Sequence, residues 1–353
     1  MSEAVMAAIR NARNGPPRYP YRVAAQISLC PMDFRHVEHL LAHQIRVWEP
    51  MVDRIEVTID THRSQAARRS THFDDDLNRL RKLVADIAMH CPTLDMQEVD
   101  YGSKARRAVA QAFFGCDDIP IKAWDGDPFY AFFYGMYQAR SRYIVHVESD
   151  MLFGGGSTRW VEEAIAVMDA DPSLLVTSPL PGPPRADGVL LGHACDVPRP
   201  VEIEGVHGYR FRRVSTRVFM LDMGRLYASV GRLPLLAPGL PSRIRARLLG
   251  NPSRAREAEV ILGETLQENG LSRLDFLGSE GGLWSLHPPY RNAAFYEQLP
   301  SLIAAVESGR IPDEQRGDYD MNDSMIDWSA QRAANRRHHR YLRLLRDRLG
   351  LAR

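Results

Sequence analysis

Short apolar segments alternate with segments of helical periodicity between residues 22 and 150, and no other feature of the sequence limits the fold as strongly. Residues 22–29 and 53–60 are predicted to be buried strands, and residues 36–47 between them a helix. A strand, a helix and a second strand in this order form a βαβ unit with parallel strands. The sequence therefore predicts an α/β fold in which helices flank a mixed, mainly parallel sheet.

The alternation continues to a predicted strand at residues 143–147. A helix at residues 74–91 and a strand at residues 94–99 repeat the pattern, and the apolar residues 129–139 predict another helix. Asp127-Pro128 marks the start of that helix, because Asp caps helices and Pro is tolerated in their first turn. The elements predicted further along are a helix at residues 160–168, strands at 174–178 and 209–222, and a helix at 257–269.

The length of 353 residues allows one large domain with extensions, or two small domains. Residues 1–20 combine Asn, Arg, Gly and Pro without periodicity and are predicted to form a flexible N-terminal arm. Residues 21–298 are predicted to form one α/β domain. Residues 299–353 are predicted to form a helical C-terminal extension, with an acidic polar loop at residues 313–327 and a last helix at residues 329–349.

The composition is that of an ordinary globular protein, with 44% hydrophobic and 25% charged residues. Because 45 Lys and Arg residues balance 44 Asp and Glu residues, the formal charge of +1 gives no global field that attracts nucleic acid. The four cysteines form no C-x-x-C pair, which favours a reducing compartment. The longest uncharged stretch, residues 172–184, is interrupted by prolines and is shorter than the roughly 20 residues that span a bilayer. With no signal-peptide core at the N-terminus, we expect a cytoplasmic protein.

Two carboxylates stand directly after the predicted strand at residues 143–147, in the triplet Glu148-Ser149-Asp150. Open α/β sheets bind ligands at the carboxyl ends of their strands, and Mg²⁺ and Mn²⁺ prefer carboxylate oxygens. A later glycine-rich segment contains His287, whose imidazole could complete the metal shell. The sequence thus predicts a metal site; the alternatives are that Asp150 is a solvated strand end and that His287 only packs beside Trp284.

Three further histidines, His36, His39 and His43, could share one face of the first predicted helix, because their spacings are three and four. No fourth ligand accompanies them. A polar helix face is therefore favoured over a second metal site.

In the order of its elements over residues 21–295, together with the acidic triplet and His287, the chain resembles the nucleotide-sugar glycosyltransferases of the GT-A fold, particularly those of family 2. The resemblance implies a Rossmann-like domain, a nucleotide diphosphate sugar donor and a Mn²⁺ or Mg²⁺ ion. It implies that Asp150, in the D-x-D-like triplet, and His287 bind the ion. The Gln-x-x-Arg-Trp signature of processive synthases is missing, which suggests transfer of a single sugar.

The same resemblance implies the residues of the donor site. Ser28 lies at the end of the first strand, which borders the nucleotide base, and Asp60 matches the acidic residue after the second strand that contacts the base. Glu148 stands where the family places an acid near the ribose. Asp127 either approaches the donor sugar or only caps the helix that follows it, and Arg291 is a further candidate for donor binding.

Inverting members of the family carry an acidic general base at the start of a late helix, and Glu259 is similar to that residue, with Glu257 in reserve. A carboxylate in this role would remove the proton of the acceptor hydroxyl. The alternatives are that these acids form the solvent face of a helix, that a retaining enzyme works without a base, or that the chain is a degenerate protein that only binds nucleotide sugars. A nucleotidyltransferase is disfavoured, because Cys30-Pro31-Met32 replaces its glycine-rich loop.

Two segments are strongly basic. Residues 224–256 contain seven arginines and no acid, and residues 328–353 contain eight arginines and only Asp347. Both segments suit peripheral contact with an anionic membrane surface or a phosphate-bearing acceptor. They suit equally well an ordinary surface, with the arginines in solvent and the leucines in the core. Neither has the aromatic residues of a nucleic-acid groove, so no nucleic-acid partner is expected. The sequence leaves a homodimer open and does not identify the acceptor.

Overall fold

A computed structural model describes residues 19–63, 70–191, 199–203, 205–336, 344–345 and 348. In this part of the chain, helices flank a mixed sheet of eleven strands, so the predicted α/β fold is confirmed. The strands are β1 (Tyr21–Leu29), β2 (Arg54–Ile59), β3 (Leu94–Glu98), β4 (Ser141–Glu148), β5 (Leu152–Gly154), β6 (Leu174–Pro181), β7 (Arg199–Ile203), β8 (Val206–Phe211), β9 (Val218–Asp222), β10 (Ser272–Phe276) and β11 (Trp284–Leu286). The helices are α1 (Phe34–Trp48), α2 (Phe73–Ala88), α3 (Ser103–Phe114), α4 (Tyr130–Ala139), α5 (Trp160–Ala170), α6 (Leu240–Leu249), α7 (Ala258–Glu268), α8 (Ala293–Glu307) and α9 (Ser329–Ala334), with short helical turns at Pro31–Asp33, Glu49–Met51, Met223–Arg225, Leu226–Val230 and Asp313–Gln315.

The sheet has a parallel half and a mixed half. Its order is β3-β2-β1-β4-β9-β6-β10-β8-β7, and β11 pairs with β5 and β6. The strands β3, β2, β1 and β4 are parallel neighbours, whereas β9 is antiparallel to both β4 and β6. Because β1, β2 and β4 run in the same direction, the loops that follow Leu29, Ile59 and Glu148 meet at one edge of the sheet.

Strand β1 shows why both faces of the sheet are covered. Successive side chains of a strand point to opposite faces. Val23, Ala25 and Ile27 lie in a hydrophobic core with residues of α1, α2 and α5, and Ala24 lies in a second core with residues of α3, α4 and α7. Strand β2 is buried along its whole length, as expected for a parallel strand between two helical layers.

The predicted strand at residues 209–222 is wrong as a single element. It is the end of β8 and the whole of β9, which occupy different places in the sheet: β8 pairs with β10, and β9 pairs with β4 and β6. The residues between them leave the sheet, yet Val214 among them is buried in the core beside α7. An apolar residue in the connection therefore hides the break from a test of periodicity.

Helix α4 lies so close to the sheet that it requires a glycine. A Cβ at Gly135 would be 2.5 Å from Gln26 Nε2 and 3.1 Å from Thr58 Oγ1, both on the central strands. Gly135→Ala should therefore lower the free energy of unfolding by about 1–3 kcal/mol, although Ala is the better helix former. Denaturant-induced unfolding, followed by circular dichroism, measures this change.

Gly263 in α7 is the matched control for this prediction. It is also a helical glycine, but a Cβ there would meet nothing nearer than 3.6 Å. Gly263→Ala should raise the free energy of unfolding by about 0.5–1 kcal/mol, because only the helix propensity changes. Equal effects of the two substitutions would show that the packing of α4 on the strands is not as tight as described.

The C-terminal part of the described chain packs onto the domain. Helix α8 begins at Ala293, before the predicted boundary at residue 298, and its N-cap Asn292 accepts a hydrogen bond from Phe295 N at 3.0 Å. The acidic loop predicted at residues 313–327 is partly buried. Its residues Met321 and Ile326 lie in a hydrophobic core with Trp328, which directly follows the loop. Helix α9 covers only the start of the helix predicted at residues 329–349, and most of the remainder lies outside the described residues, as do residues 1–18 of the predicted arm. No described helix is both long enough and apolar enough to cross a membrane.

Candidate functional site

Two adjoining cavities lie at the carboxyl ends of β1, β2 and β4. The small cavity has a volume of about 160 Å³ and the large cavity a volume of about 530 Å³. All eight site residues expected from the sequence line them: Ser28, Asp60 and Asp150 the small cavity, Asp127, Glu259 and His287 the large cavity, and Glu148 and Arg291 both. The fold thus brings these residues together from six separate segments, while the role of each stays a prediction.

A buried chain of polar side chains forms the floor of the small cavity. His146 Nδ1 donates a hydrogen bond to Gln26 Oε1 at 2.6 Å, and Gln26 Nε2 donates to Thr58 Oγ1 at 2.8 Å and to Ser28 Oγ at 3.0 Å. The His146 ring is packed against Phe132, with 4.7 Å between ring centroids. Burial lowers the pKa of His146 to about 3, so the imidazole is neutral at physiological pH.

This neutral imidazole predicts a loss of stability in acid. The pKa of His146 in the folded protein lies below its ordinary value of 6.5, so the unfolded chain binds the additional proton between pH 6.5 and pH 3. The free energy of unfolding should therefore fall as the pH falls through this window. His146→Gln should remove roughly 2–3 kcal/mol of the decrease between about pH 7 and pH 4.5. Denaturant unfolding at both pH values measures this decrease in the free energy of unfolding. His90 is exposed, and His90→Gln is the control, which should leave the decrease unchanged.

Asp60 is held in place by an aromatic residue that sequence reasoning missed. Its Oδ1 accepts hydrogen bonds from Tyr101 Oη at 2.6 Å and from His62 N at 2.8 Å, and Lys122 Nζ lies 3.7 Å from Oδ2. The Tyr101 ring is tilted against that of Tyr130, with 5.2 Å between centroids. Tyr101 and His62 therefore fix the orientation of the Asp60 carboxylate, which lines the small cavity.

Asp150 is buried and paired, so the alternative that it is a solvated strand end is wrong. The residue is only 1% exposed, and Asp150 Oδ2 accepts hydrogen bonds from Arg291 Nε, at 2.8 Å, and from Arg291 Nη2. Burial opposes ionisation of Asp150, but Arg291 and His287 outweigh it and hold its pKa below the ordinary value. For Glu148, burial and then the negative charge of Asp150 raise the pKa.

His287 faces the same carboxylate, which excludes the alternative that it only packs beside Trp284. His287 Nε2 lies 3.7 Å from Asp150 Oδ2, and Nδ1 donates a hydrogen bond to Asp320 Oδ1 at 2.7 Å. The segment that carries Asp320 is fixed by backbone hydrogen bonds on both sides of His287, from His287 N to Tyr319 O and from Met321 N to His287 O. Asp320 is a site residue that sequence reasoning assigned only to an acidic loop.

Asp150 and His287 could together supply two protein ligands to a divalent ion. A carboxylate on one ring nitrogen is the usual support of a metal-binding histidine, and Asp150 Oδ1 is buried with no hydrogen-bond partner in the described structure. Within the described ranges, no three His, Cys, Asp or Glu side chains are grouped so that they could hold an ion. An ion here would therefore need oxygens of substrate and water as its remaining ligands.

Asp127 and Glu259, which line the large cavity, have raised pKa values. Burial, followed by the charge of Asp125, raises the pKa of Asp127 to about 6. Glu259 is exposed in the first turn of α7, yet desolvation by the cavity walls raises its pKa, against the opposing charges of Arg217 and Arg273. A carboxylate with a raised pKa beside a cavity is chemically suited to general-base catalysis.

The histidines of α1 do not form the predicted polar face. His36 and His43 are buried, and only His39 is exposed. His36 Nε2 lies 3.0 Å from Ser149 Oγ in the acidic triplet, and His43 Nδ1 donates a hydrogen bond to Glu307 Oε1 at 2.8 Å. Both ring nitrogens of His43 are hydrogen-bonded, because Nε2 also accepts from Phe153 N at 3.0 Å, whereas His36 Nδ1 is buried with no partner among the described residues. A spacing pattern reveals neither state.

Comparisons with known proteins give similarity only at the level of overall structure. No family model matches the chain, and no curated protein matches it. The crystal structure of TarS from S. aureus in complex with UDP-GlcNAc matches with 9% identity and a TM-score of 0.39, over 83% of this chain and 68% of that one. A structure titled mannose-1-phosphate geranyltransferase, from Thermus thermophilus, matches with 12% identity and a TM-score of 0.34, over 73% and 74% of the two chains. A mycobacterial protein matches with 14% identity and a TM-score of 0.34, over 84% and 77%. At these scores the matches carry no argument about function.

Proposed function

We propose that this protein is a non-processive glycosyltransferase of the GT-A type, similar to family 2, that moves one sugar from a nucleotide diphosphate sugar to an acceptor hydroxyl. The observation that carries the proposal is that Arg291 and Glu148 line both cavities at the end of the parallel strands. The Arg291 guanidinium lies between a small cavity with a buried polar floor and a large cavity with carboxylate walls. This arrangement suits a diphosphate that joins a nucleoside to a sugar.

The small cavity is suited to the nucleoside. Its floor presents hydroxyl and imidazole groups, and Pro128, Ala131 and Phe132 add apolar surface for a planar base. Ser28 and Asp60 would lie at the base, and Glu148 near the ribose. Glu148 with a raised pKa can donate a hydrogen bond as well as accept one.

The diphosphate would lie at Arg291, Asp150 and His287. We propose that Asp150 and His287 hold a Mn²⁺ or Mg²⁺ ion, whose charge, when it is bound, stabilises the leaving diphosphate. Arg291 is accessible for a second role, because its side chain is 42% exposed although it pairs with a buried carboxylate. Arg291 Nε and Nη2 both donate to Asp150 Oδ2, and a guanidinium can also form paired hydrogen bonds with a phosphate group.

The acceptor would enter the large cavity. Its hydroxyl oxygen would attack the anomeric carbon, the bond from that carbon to the diphosphate oxygen would break, and the proton would pass to the Glu259 carboxylate, with Glu257 as the alternative base. This single displacement inverts the anomeric carbon. A retaining reaction without a base, or nucleotide-sugar binding without transfer, are the other outcomes that the experiments must separate.

Thermal unfolding with a panel of nucleotide sugars, each with and without Mn²⁺, tests the proposal. A donor should raise the midpoint temperature, and the increase should grow with the logarithm of its concentration relative to Kd, since a ligand that binds only the folded state stabilises it by RT ln(1 + [L]/Kd). Release of nucleotide diphosphate from the same donor then tests for chemistry. Binding without release would favour a sugar-nucleotide-binding protein, and no stabilisation by any nucleotide sugar would refute the proposed donor class.

A further inference from the structure

Helix α6 turns a stripe of apolar side chains toward solvent. Leu240, Ile244 and Leu248 are 67%, 52% and 56% exposed, and their spacing of four residues places them along one side of the helix. Ala246 is the only buried residue of this helix. The helix is therefore attached by one side and has its largest apolar side chains on the other, the reverse of a surface helix whose apolar face packs on the core.

Three arginines border this stripe. With 3.6 residues per turn, Arg243 and Arg247 project on one side of the stripe and Arg245 on the other. All three are exposed, and neither Arg243 nor Arg247 forms an ion pair with a described residue. A further cation lies nearby, because Arg348 donates a hydrogen bond to the carbonyl oxygen of Leu248.

The helix is held firmly enough to present this face. Gly250, in the left-handed conformation, ends it, and Asn251 N donates a hydrogen bond to Ala246 O at 2.8 Å. The following segment is fixed to the rest of the domain by a hydrogen bond from Trp124 N to Ala255 O at 3.0 Å. The apolar stripe is thus part of the folded domain rather than a frayed end.

We propose that α6 docks on an anionic phospholipid surface, with Leu240, Ile244 and Leu248 between the lipid headgroups and the arginines on the phosphates. A short amphipathic helix with a basic border lies in the interface in this way, and arginine side chains can extend from it to the headgroups. A second copy of this chain fits less well, because like-charged arginines would face one another. Three side chains also offer much less than the roughly 800 Å² per partner of a specific protein interface.

Flotation of the whole protein with vesicles tests this proposal, which does not depend on the transfer reaction. The protein should bind vesicles of phosphatidylcholine with phosphatidylglycerol, bind weakly to phosphatidylcholine alone, and dissociate as salt is raised. Arg243→Gln combined with Arg247→Gln should weaken binding roughly 30-fold, at about a factor of five or six per arginine. Leu240→Ser, Ile244→Ser and Leu248→Ser combined should weaken it by at least about 10-fold.

Arg107→Gln combined with Arg310→Gln is the matched control, because it removes the same charge from exposed positions outside α6. It should retain nearly all of the binding, and thermal unfolding should show that every variant is folded. The proposal is overturned if the parent protein does not bind anionic vesicles, or if the α6 variants bind as the parent does. It is also overturned if the serine variant converts a dimer to a monomer in sedimentation while vesicle binding is unchanged, since the stripe would then meet a second copy.

Discussion

Asp150→Asn is expected to abolish the Mn²⁺-dependent part of donor binding and to lower the donor affinity measured with Mn²⁺ by about 100-fold or more. The substitution keeps the shape of the side chain and removes the charge that faces His287 and Arg291. Even groups that only support metal ligands cost about 10- to 100-fold in affinity, so a ligand itself should cost at least as much. Calorimetric titration of the donor, with and without Mn²⁺, measures both quantities.

Asp171→Asn is the control for this change, because Asp171 also pairs with an arginine, Arg210, but lies in the loop after α5 and lines neither cavity. It should leave donor binding unchanged. If Asp150→Asn binds donor and Mn²⁺ as well as the parent, the assignment of the ion is wrong. If the parent binds donor equally with and without Mn²⁺, and Asp150→Asn still weakens donor binding, then Asp150 supports donor binding through Arg291 and not through an ion.

Glu259→Gln is expected to lower the rate of sugar transfer by about 10²- to 10⁴-fold and to leave donor affinity unchanged. The amide has nearly the same size but cannot accept the proton of the acceptor hydroxyl. Because the pKa of Glu259 is raised, the parent's rate should fall with decreasing pH at a pH above the ordinary range of a glutamate, and the variant should lack this dependence. Steady-state transfer rates over a range of pH measure the effect.

Two neighbouring glutamates, Glu264 in α7 and Glu257 at its N-cap, separate the possible roles. Glu264, which pairs with Arg256 and does not line the cavity, is the matched control, and Glu264→Gln should transfer sugar at the parent's rate. Glu257 lines the cavity, and its Oε2 is buried without a partner among the described residues. A large loss in Glu257→Gln with none in Glu259→Gln would assign the base to Glu257, and full activity in both variants would favour a retaining mechanism.

The position of the site could be predicted from the sequence because it follows from strand order. Apolar runs with charged residues directly after them identified the ends of β2 and β4, and parallel strands must end at the same edge. For the same reason the acidic residues Asp60, Glu148 and Asp150 could be expected together. His287 and Arg291 come from a segment without periodicity, so strand order alone could not place them there.

The state of those groups could not be predicted, because it depends on neighbours that are distant in the chain. Arg291 pairs with Asp150 across 141 residues, and Asp320 supports His287 across 33. His146 appeared to be an ordinary strand residue, and its neutral form follows from complete burial. The residues that bury it come from distant parts of the chain, such as Gln26, which lies 120 residues away in sequence.

The sequence by itself determined the α/β class, the parallel half of the sheet and the edge at which the candidate site residues meet, because these depend on the local periodicity of apolar residues and on the direction of successive strands. Only the tertiary structure decided that the stretch at residues 209–222 forms two strands in different places, that Asp150 is buried against Arg291, and that the apolar stripe of α6 faces solvent. Burial and charge pairing are sums over neighbours from the whole chain, and local periodicity contains no information about which distant residues those neighbours are.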